Sequence, residues 1–151
     1  MIKDSSDYAN IIKFYCKLNF KNKIYESLID SVASESYINR NICIENNFEI
    51  QIISEPIRVK LANNHEISCS EKCKLMLNIP NHRHNYEFEF LVLNSLSSNL
   101  IIGNDFSFRY NGILNFKIGI YVFRDEEVPL IQNIAIIQEK NGFDGDIIVK
   151  A

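Results

Sequence analysis

The chain has 151 residues, is 46% hydrophobic and carries a formal net charge of −3. That length fits one domain, and that apolar share supports a packed core rather than a disordered chain. The basic residues are scattered, which argues against a nucleic-acid face, and no apolar run approaches the roughly 18 residues of a membrane span.

Residues 1–10 read as a loose leader; they are polar and partly acidic, unlike a signal peptide. Residues 11–20 are rich in Ile, Phe and Tyr with polar residues interleaved. Lys21-Asn22-Lys23 is polar enough to turn, and residues 24–29 are apolar-rich again. This pattern predicts a hairpin whose second strand ends at Asp30. After an acidic turn, residues 38–47 are expected to form a short irregular helix with Ser36 as its cap.

Residues 50–53 and 57–61 are expected as short strands broken by Glu55-Pro56, followed by a turn at Ala62-Asn63-Asn64-His65. Leu75, Leu77 and Ile79 share a strand face that ends at Pro80-Asn81. Tyr86, Phe88, Phe90 and Val92 alternate with Glu87 and Glu89, a strong period-two signal for a half-buried strand. Residues 100–102 form a short apolar strand ending at Gly103. One or two helical turns are expected over 104–110 and a strand over 112–116. Residues 118–123 and 130–137 are possible extra strands on either side of the acidic Asp125-Glu126-Glu127. Many short strands with turn signals between them define an all-β domain.

Cys16, Cys43, Cys69 and Cys73 show no disulfide spacing, so free, mostly buried thiols in a cytoplasmic protein are expected. Cys69-x3-Cys73 with His82-Arg83-His84 offers zinc-ligand types, but the spacing fits no common finger and the cysteines lie in a strand pattern. No metal or other cofactor is expected.

The most informative stretch is Leu28-Ile29-Asp30-Ser31-Val32-Ala33-Ser34, an apolar strand running into an acidic turn, with a distant companion in Leu100-Ile101-Ile102-Gly103. An aspartate after buried strand residues, with a hydroxyl beside it, suits acid–base chemistry at the floor of a cleft. Hydrolysing a peptide without metal or covalent intermediate needs two close carboxylates, because like charges cannot both ionise and one pKa rises. Only Asp30 has the flanking strand pattern. Asp105 falls in the helical segment, and Asp144 lies in the tail. The second carboxylate must then come from a second copy of the chain, in a two-fold homodimer.

These segments resemble the retropepsin family, the aspartic proteases of retroviruses and long-terminal-repeat retrotransposons, and gypsy-type retrotransposon proteases in particular. The resemblance covers about residues 13–123 and includes Val59-Lys60-Leu61-Ala62-Asn63-Asn64, Phe90-Leu91-Val92-Leu93 and Gly112-Ile113-Leu114-Asn115-Phe116. It implies an acid-protease fold, one half of a two-fold dimer with a short C-terminal helix. The implied domain spans 11–123, and 124–151 is an extension or linker in a retrotransposon polyprotein. By the same resemblance Asp30 is the catalytic acid/base, acting on a polypeptide with Asp30 of the partner. Ser31, Val32, Ala33 and Ser34 complete the active loop. The Ser31 hydroxyl cross-links the two loops, and Ala33 lines the cleft. Ala62, Asn63, Asn64 and His65 form the flap tip, and Ile101, Ile102 and Gly103 support the loop. Val32 stands where the family pattern has glycine. The alternative is therefore a catalytically inactive module of the same fold, used for dimerisation or peptide binding.

Overall fold

The computed structural model describes residues 12–60, 64–94 and 96–131. The expected hairpin forms from β1 (Lys13–Leu18) and β2 (Ile24–Ile29), paired from Lys13↔Leu28 to Lys17↔Ile24. Its period-two pattern buries Phe14, Cys16 and Leu18 on one strand and Tyr25, Ser27 and Ile29 on the other. Asn19 and Phe20, both with positive φ, begin the turn between them.

The helix expected over 38–47 is shorter, because the chain first forms β3 (Tyr37–Asn39) and only then α1 (Arg40–Glu45). Its cap is Asn39, whose side chain accepts from the Asn41 N–H at 3.0 Å, and Ser36 is committed elsewhere. The break expected at Glu55-Pro56 is also absent. One strand, β4 (Gln51–Lys60), runs through it with a register shift between Ile52 and Ile57. Proline has no N–H to donate, but β4 is an edge strand and an irregular register there tolerates the loss. β5 (Glu66–Asn78) is long enough to serve several neighbours, pairing with β4 over its first half and with β6 (Asn85–Leu93) over its second.

In β6 the alternation seen in the sequence is realised. Tyr86, Phe88 and Phe90 are buried opposite Leu77, Leu75 and Cys73, while Glu87 and Glu89 face out. β7 (Leu100–Ile102) then enters between β2 and β3, parallel to the first and antiparallel to the second. The strand order is β1-β2-β7-β3-β6-β5-β4, and β1 also pairs with β5 at Leu18↔Leu77. Six strands therefore close into a ring, and β4 hangs from β5.

The short helix expected after Gly103 is α2 (Asn104–Tyr110), with Asp105 in its first turn and Arg109 in its last, matching the helix dipole. It is followed by a second, three-stranded sheet of β8 (Ile113–Asn115), β9 (Ile120–Phe123) and β10 (Glu126–Pro129). The acidic stretch expected to separate strands is thus part of one. Arg124 and Asp125, both at positive φ, make the hairpin turn, and Glu126 opens β10 as a buried residue. The Glu126 carboxylate accepts from the N–H groups of Arg83 (2.8 Å) and His84 (3.1 Å) and from the Tyr86 hydroxyl (3.2 Å). Beyond β10, Ile131 bridges Lys13, and residues 132–137 of the further strand expected there lie outside the described residues, as does the leader.

The main core joins both sheets and α2. Phe123 lies 4.8 Å from Tyr86, 5.4 Å from Phe106 and 6.3 Å from Phe14 between ring centroids. The aromatic strand of β6 is therefore core. All four cysteines are free and buried. Burial pushes the Cys16 thiol up to about 12 despite its 3.0 Å contact with the Ser27 hydroxyl. Among the described residues no helix is long and apolar enough to cross a membrane.

Candidate active site

Asp30 lies where β2 leaves its parallel partner β7. Its N–H donates to the Ile102 carbonyl at 3.0 Å, one step beyond the Ile29↔Ile102 pair. The chain then turns sharply. The Ala33 N–H returns to the Asp30 carbonyl at 3.2 Å, and the Val32 N–H donates to Asp30 Oδ1 at 3.0 Å. An aspartate that accepts from the backbone two residues on is the side-chain form of a turn, and here it fixes the carboxylate against its own loop.

The back of this loop is stapled to the start of α2. The Asn104 N–H donates to the Ala33 carbonyl at 2.9 Å, the Asp105 N–H to the Ser34 carbonyl at 3.2 Å, and the Asn104 carboxamide to the Ser31 carbonyl at 2.8 Å. Gly103 lies so close that a Cβ there would stand 2.2 Å from the Glu35 carbonyl oxygen and 2.9 Å from that of Ala33. No side chain fits, which is the physical need for glycine at the end of β7.

Ser36 is fully buried behind the loop. Its hydroxyl accepts from the Gly103 N–H at 2.8 Å and donates to Asp105 Oδ1 at 2.6 Å, while its own N–H donates to Asp105 Oδ2 at 3.1 Å. Asp105 Oδ1 also accepts from the Phe106 N–H at 2.7 Å.

The front of the loop is open. Ser31 and Ser34 are exposed, and Val32 is 89% exposed at the tip with its φ outside the left-handed region. Beside it lies a cleft of about 150 Å³ lined by Ile29, Asp30, Ser31, Ile102, Gly103 and Asn104. Ser107, Gly112, Leu114 and Tyr121 complete its lining. The Tyr121 hydroxyl is bonded to the Ser107 hydroxyl, and burial raises its pKa against that bond.

Of the residues singled out in the sequence, Asp30, Ser31, Ile102 and Gly103 meet in this cleft. Ala33 and Ile101 pack instead on a small apolar cluster of Tyr37, Val59, Cys69, Leu91 and Leu93, which ties the β4–β5 hairpin to the loop through Val59 and Cys69. Tyr37 in that cluster is pushed up to about 12, first by burial and then by the Glu35 carboxylate. At the tip of the hairpin Asn64 takes φ 71° and His65 is exposed, and Ala62 and Asn63 lie outside the described residues. Cys69 contacts the carbonyls of Glu71 and Val92, and His82 those of Pro80 and Glu127. No group of metal-ligating side chains forms among the described residues.

Sequence reasoning missed the loop-holding roles of Ser36, Asn104 and Asp105. The one available signal was position: Asn104 and Asp105 directly follow the glycine that supports the loop.

An aspartate-bearing loop at the end of an inner strand, backed by an apolar-apolar-Gly strand and a short helix, defines a retropepsin-like protease domain. The chain belongs to the PEG10/RTL1 protease domain family, whose model matches residues 26–128. Among solved structures it is similar to the retroviral protease-like domain of Ddi1 from Leishmania major. That match has 16% identity and a TM-score of 0.62, and it covers 81% of this chain and 94% of that one. It is also similar to a retropepsin-like aspartic protease from Rickettsia conorii, with 15% identity, a TM-score of 0.48, and coverage of 78% and 80%. No curated protein gives a significant match.

Proposed function

We propose that the chain is one subunit of an aspartic endopeptidase of retrotransposon type, which hydrolyses extended polypeptide between two copies of Asp30. The observation that carries this reading is Asp30 itself. Its carboxylate is fixed by the Val32 N–H at the mouth of a cleft, in a chain that belongs to a protease-domain family. Asp105 is committed to Ser36, so it is not available as a second acid at the cleft.

In the two-fold dimer one Asp30 carboxylate takes a proton from water as that water attacks the peptide carbonyl. The protonated Asp30 of the other copy gives a proton to the amide. The step needs one of the two carboxyls charged and the other protonated, so the rate should peak at acidic pH. Ser31 of each loop faces its counterpart, and the β4–β5 hairpin, with Ala62 to His65 at its tip, closes over the peptide. The protein acts in the cytoplasm as part of a polyprotein, without metal or other cofactor.

Turnover of an unfolded protein substrate from pH 3 to 7 tests the reading, with sedimentation of the same sample. Asp30→Asn should abolish cleavage and leave the fold intact. Cleavage by that variant at the wild-type rate, or a strict monomer at high micromolar concentration, would sink it.

The second reading is a non-catalytic module of the same fold that dimerises or holds peptide. Val32 favours it, because its side chain projects from the loop at the position where the family pattern has glycine.

A further inference from the structure

Asp105 is an acidic side chain directly behind the proposed catalytic loop, and it touches nothing in the cleft. All its partners are donors: the Ser36 hydroxyl, the Ser36 N–H and the Phe106 N–H. Each of the three donates to a carboxylate oxygen of Asp105. Ser36 passes the grip forward, since the same hydroxyl that donates to Asp105 accepts from the buried Gly103 N–H.

We infer that Asp105 and Ser36 form a positioning pair that fixes the Asp30 loop against the end of β7, with Asn104 as a second holder through the Ser31 carbonyl. The inference rests on the proposed peptidase reading for its kinetic consequence, but not for its structural one. The loop between Ser31 and Ser36 is held at its far end by the Leu91 N–H, which donates to the Ser36 carbonyl at 3.0 Å, by the Tyr37 hydroxyl on Glu35 and by the packing of Ala33 on the Tyr37 cluster. Its hydrogen bonds to the end of β7 and the start of α2 come from Gly103, Asn104 and Asp105. Without the Ser36 hydroxyl, the buried Gly103 N–H loses its acceptor and Asp105 loses one of its three donors, the other two being backbone N–H groups. The loop is then free to slide over Gly103, where backbone contact is already tight. A small displacement there moves Asp30 relative to β7, and misplacement of a reacting group by about 1 Å can cost on the order of a hundredfold in rate.

The test uses the full chain with Ser36→Ala, Asp105→Asn and the double variant. Asp105→Asn keeps one acceptor oxygen, so it remains informative where Ser36→Ala does not fold. Two quantities are measured: kcat and KM on one unfolded substrate, and amide hydrogen exchange at Ala33 and Asn104, with Leu75 and Phe88 as controls. Each single variant should lower kcat about tenfold with KM within about twofold, and the double should be no worse than the poorer single, because the two residues act as one unit. Exchange at Ala33 and Asn104 should rise about tenfold while Leu75 and Phe88 hold their wild-type rates.

Unchanged kcat and unchanged exchange at Ala33 and Asn104 would overturn the inference. So would faster exchange at all four sites together, since that reports general destabilisation. If the wild type cleaves nothing, the peptidase reading fails, and the exchange measurement alone still decides whether the pair positions the loop.

Discussion

Replacing Gly103 with alanine would probe how firmly the Asp30 loop is seated. An alanine Cβ would sit 2.2 Å from the Glu35 oxygen and 2.7 Å from the Glu35 carbonyl carbon, about 1 Å or more inside ordinary contact. Both opposing atoms are backbone, so no side chain can swing away. Relief requires β7 and the loop to part, which strains the Gly103–Ser36 bond at 2.8 Å and the Asn104–Ala33 bond at 2.9 Å. Overpacking costs about 1–3 kcal/mol, and leaving the buried Gly103 N–H unpaired about 1–3 kcal/mol more. Alanine's stiffer unfolded chain returns about 0.4–1 kcal/mol. The net is a loss of about 3 kcal/mol, which for a domain of this size lowers Tm by roughly 10 °C. Gly119 is the control. It has φ 70°, so Gly119→Ala puts a side chain on left-handed backbone and should cost about 1–2 kcal/mol. Thermal melts and urea midpoints of both variants decide the matter. A Gly103→Ala melt within about 2 °C of wild type, or a larger loss in Gly119→Ala, would refute the reasoning.

Val32→Gly should raise peptidase activity in an assay on unfolded protein at acidic pH, at a stability cost of about 0.5–1 kcal/mol. A wild type that cleaves well and a variant no better would show that valine is tolerated. Glu126 gives a pH-dependent prediction. Burial pushes its carboxyl up, but donation from the Arg83 and His84 N–H groups and the Tyr86 hydroxyl outweighs this and holds it below the ordinary glutamate value. A lowered folded pKa contributes stability above the unfolded value of about 4.3, and this is lost as pH falls through the folded value. Glu126→Gln should therefore lower Tm at pH 7, with the gap to wild type closing as pH drops below about 4; a gap that stays constant down to pH 3 would be evidence against it.

The parts of the fold that rest on local pattern were legible: the β1–β2 hairpin, the alternation in β6, and the short apolar strand ending at Gly103. What escaped depends on partners far along the chain. Ser36 looks like a helix cap because serine two or three residues before an apolar run usually is one. Its actual partners, Gly103 and Asp105, lie 67 and 69 residues away. Glu126 looks like part of an acidic turn because a buried glutamate is rare without donors, and those donors stand about 40 residues upstream, between Arg83 and Tyr86. The run Glu126, Val128 and Leu130 does alternate inward, but two glutamates at its head conceal it. Pro56 conceals β4 for a different reason. An edge strand can absorb a proline at a register shift, and edge position is a property of the sheet.

The same structure narrows what Val32 can mean. The loop uses residue 32 through its N–H, which any residue but proline supplies, and its φ stays out of the region that favours glycine. Valine is thus compatible with the turn that holds Asp30. Its side chain points into solvent and props up nothing in the loop. Whatever it alters must therefore lie in front of the loop, in the space where a peptide or a second copy approaches, and the effect is steric. This is why Val32→Gly separates the two functional readings cleanly. It removes bulk from the approach and leaves the backbone bonds that place Asp30 as they are. A gain in cleavage would locate the obstacle at the mouth of the cleft. No cleavage by either protein, though both fold and dimerise, would mean that the loop is used to hold rather than to cut.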